Sequence, residues 1–182
     1  IVFPLEEVSE GLLAEHGPLN IVYEDNAVLV LDKPAYMSTI PSREHPTGSV
    51  ANYLCGYFEQ QQLASTVHIV TRLDRDTSGL MIIAKNRHIH HLMSEQQKQR
   101  FVHREYEALV EGVVEQDQQS IIAPIGRKDT SIIEREVRAD GQFAHTDVTV
   151  LSRGTTISRV RLKLHTGRTH QIRVHMASIG HP

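Results

Sequence analysis

Apolar and polar residues alternate along several stretches of the chain, and this pattern predicts short β-strands separated by turns. Residues 21–23 and 28–31 form the arms of a predicted hairpin around an Asp25-Asn26 turn, and Pro34 ends the second arm because it lacks the N–H that strand pairing requires. Further strands are predicted at 67–70, 80–85, 102–110, 120–125, 132–138, 143–151 and 157–164.

Three other segments show the spacing of amphipathic helices. The first begins at Ser49, the second covers residues 87–99, and the third has Thr169 as its predicted N-cap. The predicted buried stripes are Val50, Tyr53, Leu54 and Tyr57 in the first helix and Ile172, Met176 and Ile179 in the third. Many strands, three helices and no regular βαβ order predict an α+β fold with a mixed, mostly antiparallel central sheet and a few flanking helices.

The length of 182 residues fits one domain with a single core. Residues 1–19 carry turn-forming residues without a sustained pattern and are predicted to be a linker remnant, which leaves residues 20–182 as the domain. The chain begins without Met and ends at Gly180-His181-Pro182, where a helix stop signal would lead into another element. We therefore expect a piece of a longer protein whose C-terminal part is missing.

The composition excludes several classes of protein. Apolar residues make up 40% and charged residues 23% of the chain, which argues against a disordered or fibrous protein. The single cysteine, Cys55, cannot form an internal disulfide, and this favours a reducing compartment. No stretch approaches the roughly 18 consecutive apolar residues of a membrane helix, and the first residues lack the order of a signal peptide. We expect a cytoplasmic protein with no membrane partner.

The formal charge is distributed unevenly along the chain. The net charge is −3, but residues 148–182 contain no Asp or Glu and contribute +6, which leaves −9 for residues 1–147. The basic residues of this segment are Arg153, Arg159, Arg161, Lys163, Arg168 and Arg173. Such a split is typical of a surface that binds a polyanion, although a merely solvated basic face would show it as well.

Two segments, residues 71–79 and 166–175, depart most from what a core requires. The first follows a predicted strand and crowds four charged residues into five positions: Arg72, Asp74, Arg75 and Asp76. The Thr77-Ser78-Gly79 turn that follows can fix a carboxylate by hydrogen bonds. Taken alone, however, such a segment is more often a charged surface turn than a catalytic site.

Four motifs in order change that interpretation. They are the Lys33-Pro34 pair after an apolar strand, RLDRDTSGL at 72–80, VHREYEALVEG at 102–112 and LHTGRTHQIRVHMASIGHP at 164–182. Together they resemble the RluA-type pseudouridine synthase family, and the resemblance extends over about residues 20–182. It implies an enzyme that isomerises uridine to pseudouridine in ribosomal or transfer RNA, which it binds in a cleft of the α+β domain.

The resemblance also implies catalytic roles for three residues. Asp74 would be the nucleophile, Tyr106 the aromatic that packs against the target uracil, and Arg173 the partner of the aspartate. An Asp that attacks carbon at neutral pH must stay ionised, and a guanidinium favours the ionised form by charge pairing. A tyrosine ring can stack on a base while its hydroxyl reaches the proton on C5.

The same resemblance implies an RNA-binding set. Arg72 would help to displace the flipped base, while Arg168 and the basic strand with Arg159, Arg161 and Lys163 would hold phosphates. The late motif adds His170, Gln171 and Ile172, of which His170 and Gln171 would support the active-site arginine or the RNA backbone unless they only cap the helix. The implied reaction transfers no group from outside and has no redox step, so we expect no cofactor, no obligate protein partner and a monomer.

The chain departs from the family pattern at three positions. Thr71 stands where His is usual, and Asp32 and Tyr36 stand where the early motif commonly has Asn and Gly. All three concern the surroundings of the predicted site and not the nucleophile itself, so we expect them to affect the hydrogen bonding around the loop and the choice of substrate more than activity.

Other readings of the same residues remain open. Twelve histidines suggest a metal, but His88-Ile89-His90-His91 has no nearby Cys or paired carboxylate, and His165, His170 and His175 are spaced by fives, so no metal site is predicted. The Asp74-Arg75-Asp76 sequence faintly resembles the loop of haloacid-dehalogenase-type phosphohydrolases, which would require magnesium. A catalytically silent RNA-binding module would explain the basic segment alone.

Overall fold

The computed structural model describes residues 11–131 and 133–182. They divide into two compact units, one ending at Gln99 and the other beginning at Arg100, and each is described by itself. Part of the predicted linker, residues 1–10, and one position of the predicted strand 132–138, Ile132, lie outside the described residues.

The first unit contains four strands and two helices. They are β1 (Ile21–Glu24), β2 (Val28–Lys33), α1 (Val50–Gln60), β3 (His68–Ile69), β4 (Gly79–Ala84) and α2 (Arg87–Lys98). The strands form an antiparallel sheet in the order β1-β2-β4-β3. Alternation along β2 buries Leu29, Leu31 and Lys33 on one face, so the last inward position of this strand is a charged residue.

Helix α1 begins where the sequence predicts, and it buries Val50 and Leu54 of the predicted stripe, whereas Tyr53 and Tyr57 are only half-buried. The Ser49 hydroxyl accepts a hydrogen bond from the Asn52 N–H, and the Asn52 side chain accepts one from the Ser49 N–H, which forms a capping box. The apolar side chains that α1 buries are Val50, Ala51, Leu54, Cys55 and Phe58. The prediction that Tyr57 belongs to this stripe is wrong, because its hydroxyl reaches outward and donates to Glu24 at 2.7 Å.

Residues 11–19 pack against α1. The Glu15 N–H donates to the Asn52 carbonyl at 3.1 Å, and the Asn52 side chain donates to the Leu13 carbonyl at 2.8 Å. The contact is close at Gly56, where a Cβ would lie 2.2 Å from the Glu15 carbonyl oxygen. The described part of the predicted linker is therefore held on the first unit by backbone contacts.

The second unit contains six strands and one helix. They are β5 (Arg104–Glu111), β6 (Gln118–Ile122), β7 (Ile125–Arg127), β8 (Arg135–Val137), β9 (His145–Arg153), β10 (Ile157–Leu164) and α3 (Gln171–Ser178). Four strands form an antiparallel sheet in the order β5-β10-β9-β6, and β7 and β8 form a separate ribbon. The core of this unit is built on Val110, Val114, Ile121, Val148, Val160, Leu162 and Met176.

The predicted α+β class with mostly antiparallel strands is confirmed, and every strand pair among the described residues is antiparallel. The expected central sheet is present as two four-stranded sheets, one in each unit. The predicted strand 120–125 is split between β6 and β7 because Pro124 cannot donate to a ladder. None of the helices in residues 11–131 and 133–182 is long and apolar enough to cross a membrane.

The prediction that Thr169 caps the third helix is wrong. The N-cap of α3 is His170, whose φ of 56° is left-handed, and its side chain makes no capping hydrogen bond. Of the predicted buried stripe of α3, Met176 is buried, whereas Ile172 and Ile179 are only half-buried against the core.

Candidate active site

Asp74 lies in the first unit on the loop between β3 and β4. Its side chain is half-buried and that of Arg72 is exposed. Leu73, between them, is buried, and its carbonyl accepts a 2.6 Å hydrogen bond from the Thr39 hydroxyl. The Asp74 carbonyl accepts from the Thr77 N–H at 3.1 Å and closes a turn. The residue predicted as the nucleophile is therefore carried by a loop that is anchored on one side and tightly turned on the other.

A buried ammonium group fixes the same loop. Lys33, at the end of β2, is 0% exposed. Its Nζ donates to three backbone carbonyls, those of Pro34 and Met37 at 2.8 Å each and that of Arg75 at 3.1 Å. Burial lowers the pKa of Lys33, whereas the nearby carboxylates of Asp76 and Asp74 act to raise it. The early Lys-Pro motif thus holds the loop that carries Asp74, a role that the sequence did not predict.

Two of the three positions that depart from the expected pattern, Thr71 and Tyr36, differ in their effect on the local structure. The Thr71 hydroxyl accepts a 2.9 Å hydrogen bond from the Ile82 N–H and ties the start of the loop to β4. Tyr36 is 78% exposed and has a left-handed φ of 66°, a conformation that glycine adopts without strain. A side chain there costs about 1 kcal/mol, so its exposed ring is retained at some cost in stability.

Tyr106 lies in the second unit on β5. It pairs with Leu162 of β10, and its half-buried ring packs against the core of this unit. The predicted alternation of β5, with Tyr106, Ala108 and Val110 on one face, is confirmed by the burial of that face. Packing on the core fixes the direction of the ring.

The loop between β10 and α3 is organised by the side chain of Gln171, which is 2% exposed. Its Oε1 accepts from the Thr166 hydroxyl at 2.8 Å and from the Arg168 N–H at 2.9 Å. Its Nε2 donates to the His145 carbonyl at 3.1 Å and to the Thr146 hydroxyl at 2.9 Å. The amide of Gln171 is thus satisfied inside the protein, and it supports the loop that carries Arg168.

Arg168 is oriented along this loop. Its Nε donates to the Phe143 carbonyl at 2.9 Å and its Nη1 to the Gln142 side chain at 3.0 Å. The neighbouring Gly167 leaves room for the side chain of Arg104, because a Cβ at position 167 would collide with Nη1 of that arginine. The turn therefore presents a guanidinium whose direction is set by backbone and amide oxygens.

The first residues of α3 differ in exposure. His170 is half-buried, Ile172 is half-buried against the core, and Arg173 is exposed on the first turn of the helix. The packing of Ile172 on the core limits what its side chain can offer to a base. Of these three residues, Arg173 is the one whose side chain is exposed to solvent.

His175, one helical turn after Gln171, is a buried residue whose structural role was not predicted. It is 0% exposed, and its Nε2 and Nδ1 lie 3.0 Å from the Ala123 carbonyl and 2.9 Å from the Thr146 hydroxyl. Because a carbonyl only accepts, the proton resides on Nε2, and the Thr146 hydroxyl donates to Nδ1. Burial lowers the pKa of His175 and favours the neutral ring. The i, i+4 spacing of Gln171 and His175 is the sequence signal for this pair.

The basic strand β10 is partly neutralised by its neighbour. Arg159, Arg161 and Lys163 point to solvent, as predicted from the alternation. Glu107 on β5 accepts from Arg159 Nε at 3.0 Å and lies 3.7 Å from Arg161 Nη2, and these arginines, Arg159 foremost, lower the pKa of Glu107. The exposed face of β5 and β10 therefore carries charges of both signs, and Arg159 and Arg161 already lie next to a carboxylate.

A second polar cluster joins β9 to the end of β10. The rings of His145 and His165 stack with centroids 4.1 Å apart, and their Nε2 atoms lie 3.1 Å and 2.6 Å from the two carboxylate oxygens of Asp147. The Ser120 hydroxyl also donates to Asp147, at 2.5 Å. These hydrogen bonds, that of Ser120 foremost, lower the pKa of Asp147 to about 2. Sequence reasoning missed this cluster because His145 and His165 are distant along the chain.

The structure thus places the predicted residues in two groups. Asp74 and Arg72 share one loop of the first unit. Tyr106, Arg168, Arg173 and the basic strand belong to the second unit, where Gln171 joins the loop of Arg168 to β9.

Comparison with known proteins gives a consistent result. The sequence model of the family "RNA pseudouridylate synthase" matches residues 27–178. The Bacillus subtilis protein named "Uncharacterized RNA pseudouridine synthase YjbO" is 52% identical over 182 residues, covering 100% of this chain and 64% of that protein. The Pseudomonas aeruginosa protein named "Ribosomal large subunit pseudouridine synthase D" is 40% identical over 183 residues, covering 100% of this chain and 57% of that protein.

A solved structure shows the same similarity. The human protein "RNA Pseudouridylate Synthase Domain Containing 1" superposes with a TM-score of 0.73 at 28% identity, over 91% of this chain and 66% of that chain. The chain spans less than two thirds of the length of these relatives.

Proposed function

This chain belongs to the RNA pseudouridylate synthase family, and on that premise we propose that the whole protein isomerises specific uridines of RNA to pseudouridine. The observation that carries the proposal is the loop of Asp74, which lies within the matched residues and is fixed by the buried Lys33 and by Thr39. Ribosomal and transfer RNA are the proposed substrates. The name of the Pseudomonas relative makes ribosomal RNA of the large subunit the first to test.

Asp74 is the nucleophile of this proposal, and Arg173 is its partner. A carboxylate that attacks carbon has to remain ionised while water is excluded, and a guanidinium stabilises that state because it cannot lose its proton. Tyr106 packs against the uracil, and Arg72 helps to displace the flipped base. The anchored loop supports this assignment, since a nucleophile is effective only when its direction is fixed before the substrate arrives.

The reaction rearranges bonds within one nucleotide. Asp74 forms a transient bond to carbon, either to C1′ of the ribose or to the uracil ring, and this bond breaks again before the product leaves. The bond between N1 of uracil and C1′ of ribose breaks, the detached base rotates while bound, and a new bond forms between C5 and C1′. The proton released from C5 is balanced by the proton gained at N1, so no external group enters the product. The hydroxyl of Tyr106 is the proposed group that reaches the C5 proton.

RNA binding is assigned to the second unit. Arg168 and the strand residues Arg159, Arg161 and Lys163 hold phosphates, and Gln171 positions Arg168. His170 and Ile172 complete the proposed contact surface at the start of α3. Flipping a base out of its stack costs a few kcal/mol, so loops and distorted helices are the favoured targets. We assign the protein to the cytoplasm and expect it to act as a monomer.

The test is pseudouridine formation by the full-length protein on total ribosomal and transfer RNA, with Asp74→Asn and Asp76→Asn in parallel. Asp76 is the matched control, because it is an exposed carboxylate two positions further along the same loop. We expect turnover to be abolished by Asp74→Asn and retained by Asp76→Asn, while both variants bind RNA. Quantifying pseudouridine in digested RNA by mass spectrometry decides the matter.

The outcomes separate the alternatives. Activity that survives Asp74→Asn would refute the assignment of Asp74 as the nucleophile. RNA binding without turnover by the wild type would favour the silent binding module. Hydrolysis of a phosphate ester that depends on magnesium would indicate the phosphohydrolase instead.

A further inference from the structure

His145, Asp147 and His165 bring three metal-binding groups to one place on the second unit. Two imidazole nitrogens and a carboxylate oxygen all lie within 4.8 Å of one another. The side chains are 22%, 38% and 20% exposed, so the cluster is neither deeply buried nor freely solvated. Backbone hydrogen bonds also fix its members, since the His165 N–H donates to the His145 carbonyl at 3.1 Å.

The spacing of the donor atoms suits a small divalent ion. Bonds of about 2.0–2.1 Å in tetrahedral geometry place neighbouring ligand atoms about 3.3 Å apart. The two Nε2 atoms lie 3.1 Å and 2.6 Å from the carboxylate oxygens of Asp147. The donor atoms of all three residues lie within 4.8 Å of one another, so side-chain movements that bring them slightly closer together would convert the cluster into a coordination site. The imidazole protons would then reside on Nδ1, leaving the Nε2 lone pairs for the ion.

The donor types select the class of metal. Imidazole nitrogen suits zinc, iron, nickel and copper, whereas magnesium and calcium prefer oxygen ligands only. Two histidines and one carboxylate leave at least one coordination position for water, and the partial exposure of all three side chains gives water access. Ser120 supplies a further contact, since its hydroxyl hydrogen-bonds to the carboxylate and orients it.

We propose that His145, Asp147 and His165 form a binding site for a divalent transition-metal ion of the zinc type, which replaces the expectation from sequence that the chain holds no metal site. The proposal does not depend on the isomerase function. Its structural consequence concerns the loop of Arg168. His165 immediately precedes Thr166, whose hydroxyl bonds to Gln171 and accepts from the His145 N–H. An ion at the cluster therefore joins β9 to the first residue of that loop and stabilises both.

The test is a calorimetric titration of the EDTA-treated, dialysed full-length protein with zinc chloride, for the wild type and for His145→Gln, His165→Gln and His91→Gln. His91 is the matched control, because it is an exposed histidine on α2 in the other unit. We expect the wild type and His91→Gln to bind one ion with the same affinity. Each cluster variant should lose about 100-fold or more in affinity.

A second measurement uses the wild type alone and needs no variant to fold. Long-range proton–nitrogen spectra of the histidine rings should show Nε2 of His145 and His165 shifting together with one equivalent of zinc. The proposal is overturned if these two rings do not shift at millimolar zinc, or if His91→Gln loses as much affinity as the cluster variants. It is equally overturned if His145→Gln and His165→Gln, folded by circular dichroism, bind zinc as tightly as the wild type.

Discussion

Lys33 is a charged residue in a position where the alternation of β2 calls for an apolar one. A buried ammonium is unfavourable unless its donors are satisfied, and the three donors of Lys33 all end on backbone carbonyls. One of them belongs to Arg75, the neighbour of Asp74. The charge thus links the end of β2 to a loop more than forty positions away along the chain.

Replacing Lys33 with Met tests this link. The side chain keeps its length and apolar stem, but three buried carbonyls lose their donor, so we expect the free energy of unfolding to fall by about 2–4 kcal/mol. Turnover should fall as well, because the Asp74 loop loses an anchor. Urea denaturation and the pseudouridine assay measure the two effects.

Lys98→Met is the control for the chemical change. Lys98 is 72% exposed and pairs with Glu95 on the same helix. Its replacement should alter stability by less than about 0.5 kcal/mol. Equal effects of the two substitutions would contradict the anchoring role of Lys33.

At the scale of the element, α3 is attached to the sheet by polar side chains as well as by Met176. Gln171 and His175 reach β9 from successive turns and share the Thr146 hydroxyl, which accepts from one and donates to the other. Protonation of His175 would place a second donor against that hydroxyl. The attachment of the helix should therefore weaken in acid.

The sign of the pH effect follows from the lowered pKa of His175. The unfolded chain takes up the proton first as the pH falls below about 6.5, so the stability contributed by the neutral ring is present above that pH and is lost as the pH falls toward the folded-state pKa. We expect His175→Gln, which can still donate to Ala123 and accept from Thr146, to lose this component of the pH dependence. Urea titrations at pH 7.5 and 5.5 should show a smaller decrease for the variant, by up to about 1.4 kcal/mol per pH unit. Identical decreases would exclude His175 as the group.

The element boundaries show what local sequence can and cannot predict. Ser49 as a helix start and the alternation of β5 and β10 were predictable, because caps and periodicity are local properties. Thr169 was misassigned, because the chain enters α3 one residue later, through the left-handed backbone of His170, and the turn before it is held by the side chain of Gln171. Of the predicted stripe of α1, Val50 and Leu54 are buried, but Tyr57 is only half-buried, because its hydroxyl donates to Glu24 on a distant strand.

At the scale of the whole molecule, the positive charge counted along the segment 148–182 is larger than the positive charge that the folded surface presents. The segment 148–182 contributes +6, yet Glu107 on β5 pairs with Arg159 and approaches Arg161. The neutralising carboxylate lies about fifty positions earlier, so a segment-by-segment count cannot reveal it. Only the pairing of β5 with β10 does.

Glu107→Gln should therefore strengthen RNA binding. Releasing Arg159 and Arg161 from the carboxylate makes them available to phosphates, and the salt dependence of binding should steepen by about one phosphate contact. Glu115→Gln, which removes an exposed carboxylate after β5, is the matched control. Filter binding over a series of salt concentrations measures both, and an unchanged slope in Glu107→Gln would argue against RNA contact by this strand.

The candidate site was predictable only in part. The residues with proposed chemical roles, Asp74, Tyr106 and Arg173, stand in motifs that can be read directly from the chain. The contacts by which other residues hold the loops of the candidate site could not be found in that way, even where the residue itself, such as Lys33 or Gln171, stands in a motif. Lys33, Thr39 and Gln171 act through carbonyls and hydroxyls of other elements, and the cluster around Asp147 is assembled by strand pairing.

The burial of Lys33 also makes its acylation a measure of local opening. Reagents that acylate amines need an accessible, unprotonated Nζ, and this one is covered by protein and occupied by three carbonyls. Lys98, in contrast, is open to solvent. The ratio of the two acylation rates, measured by mass spectrometry, therefore reports how often the structure around the Asp74 loop opens. A substrate that holds the loop closed would lower the acylation rate of Lys33.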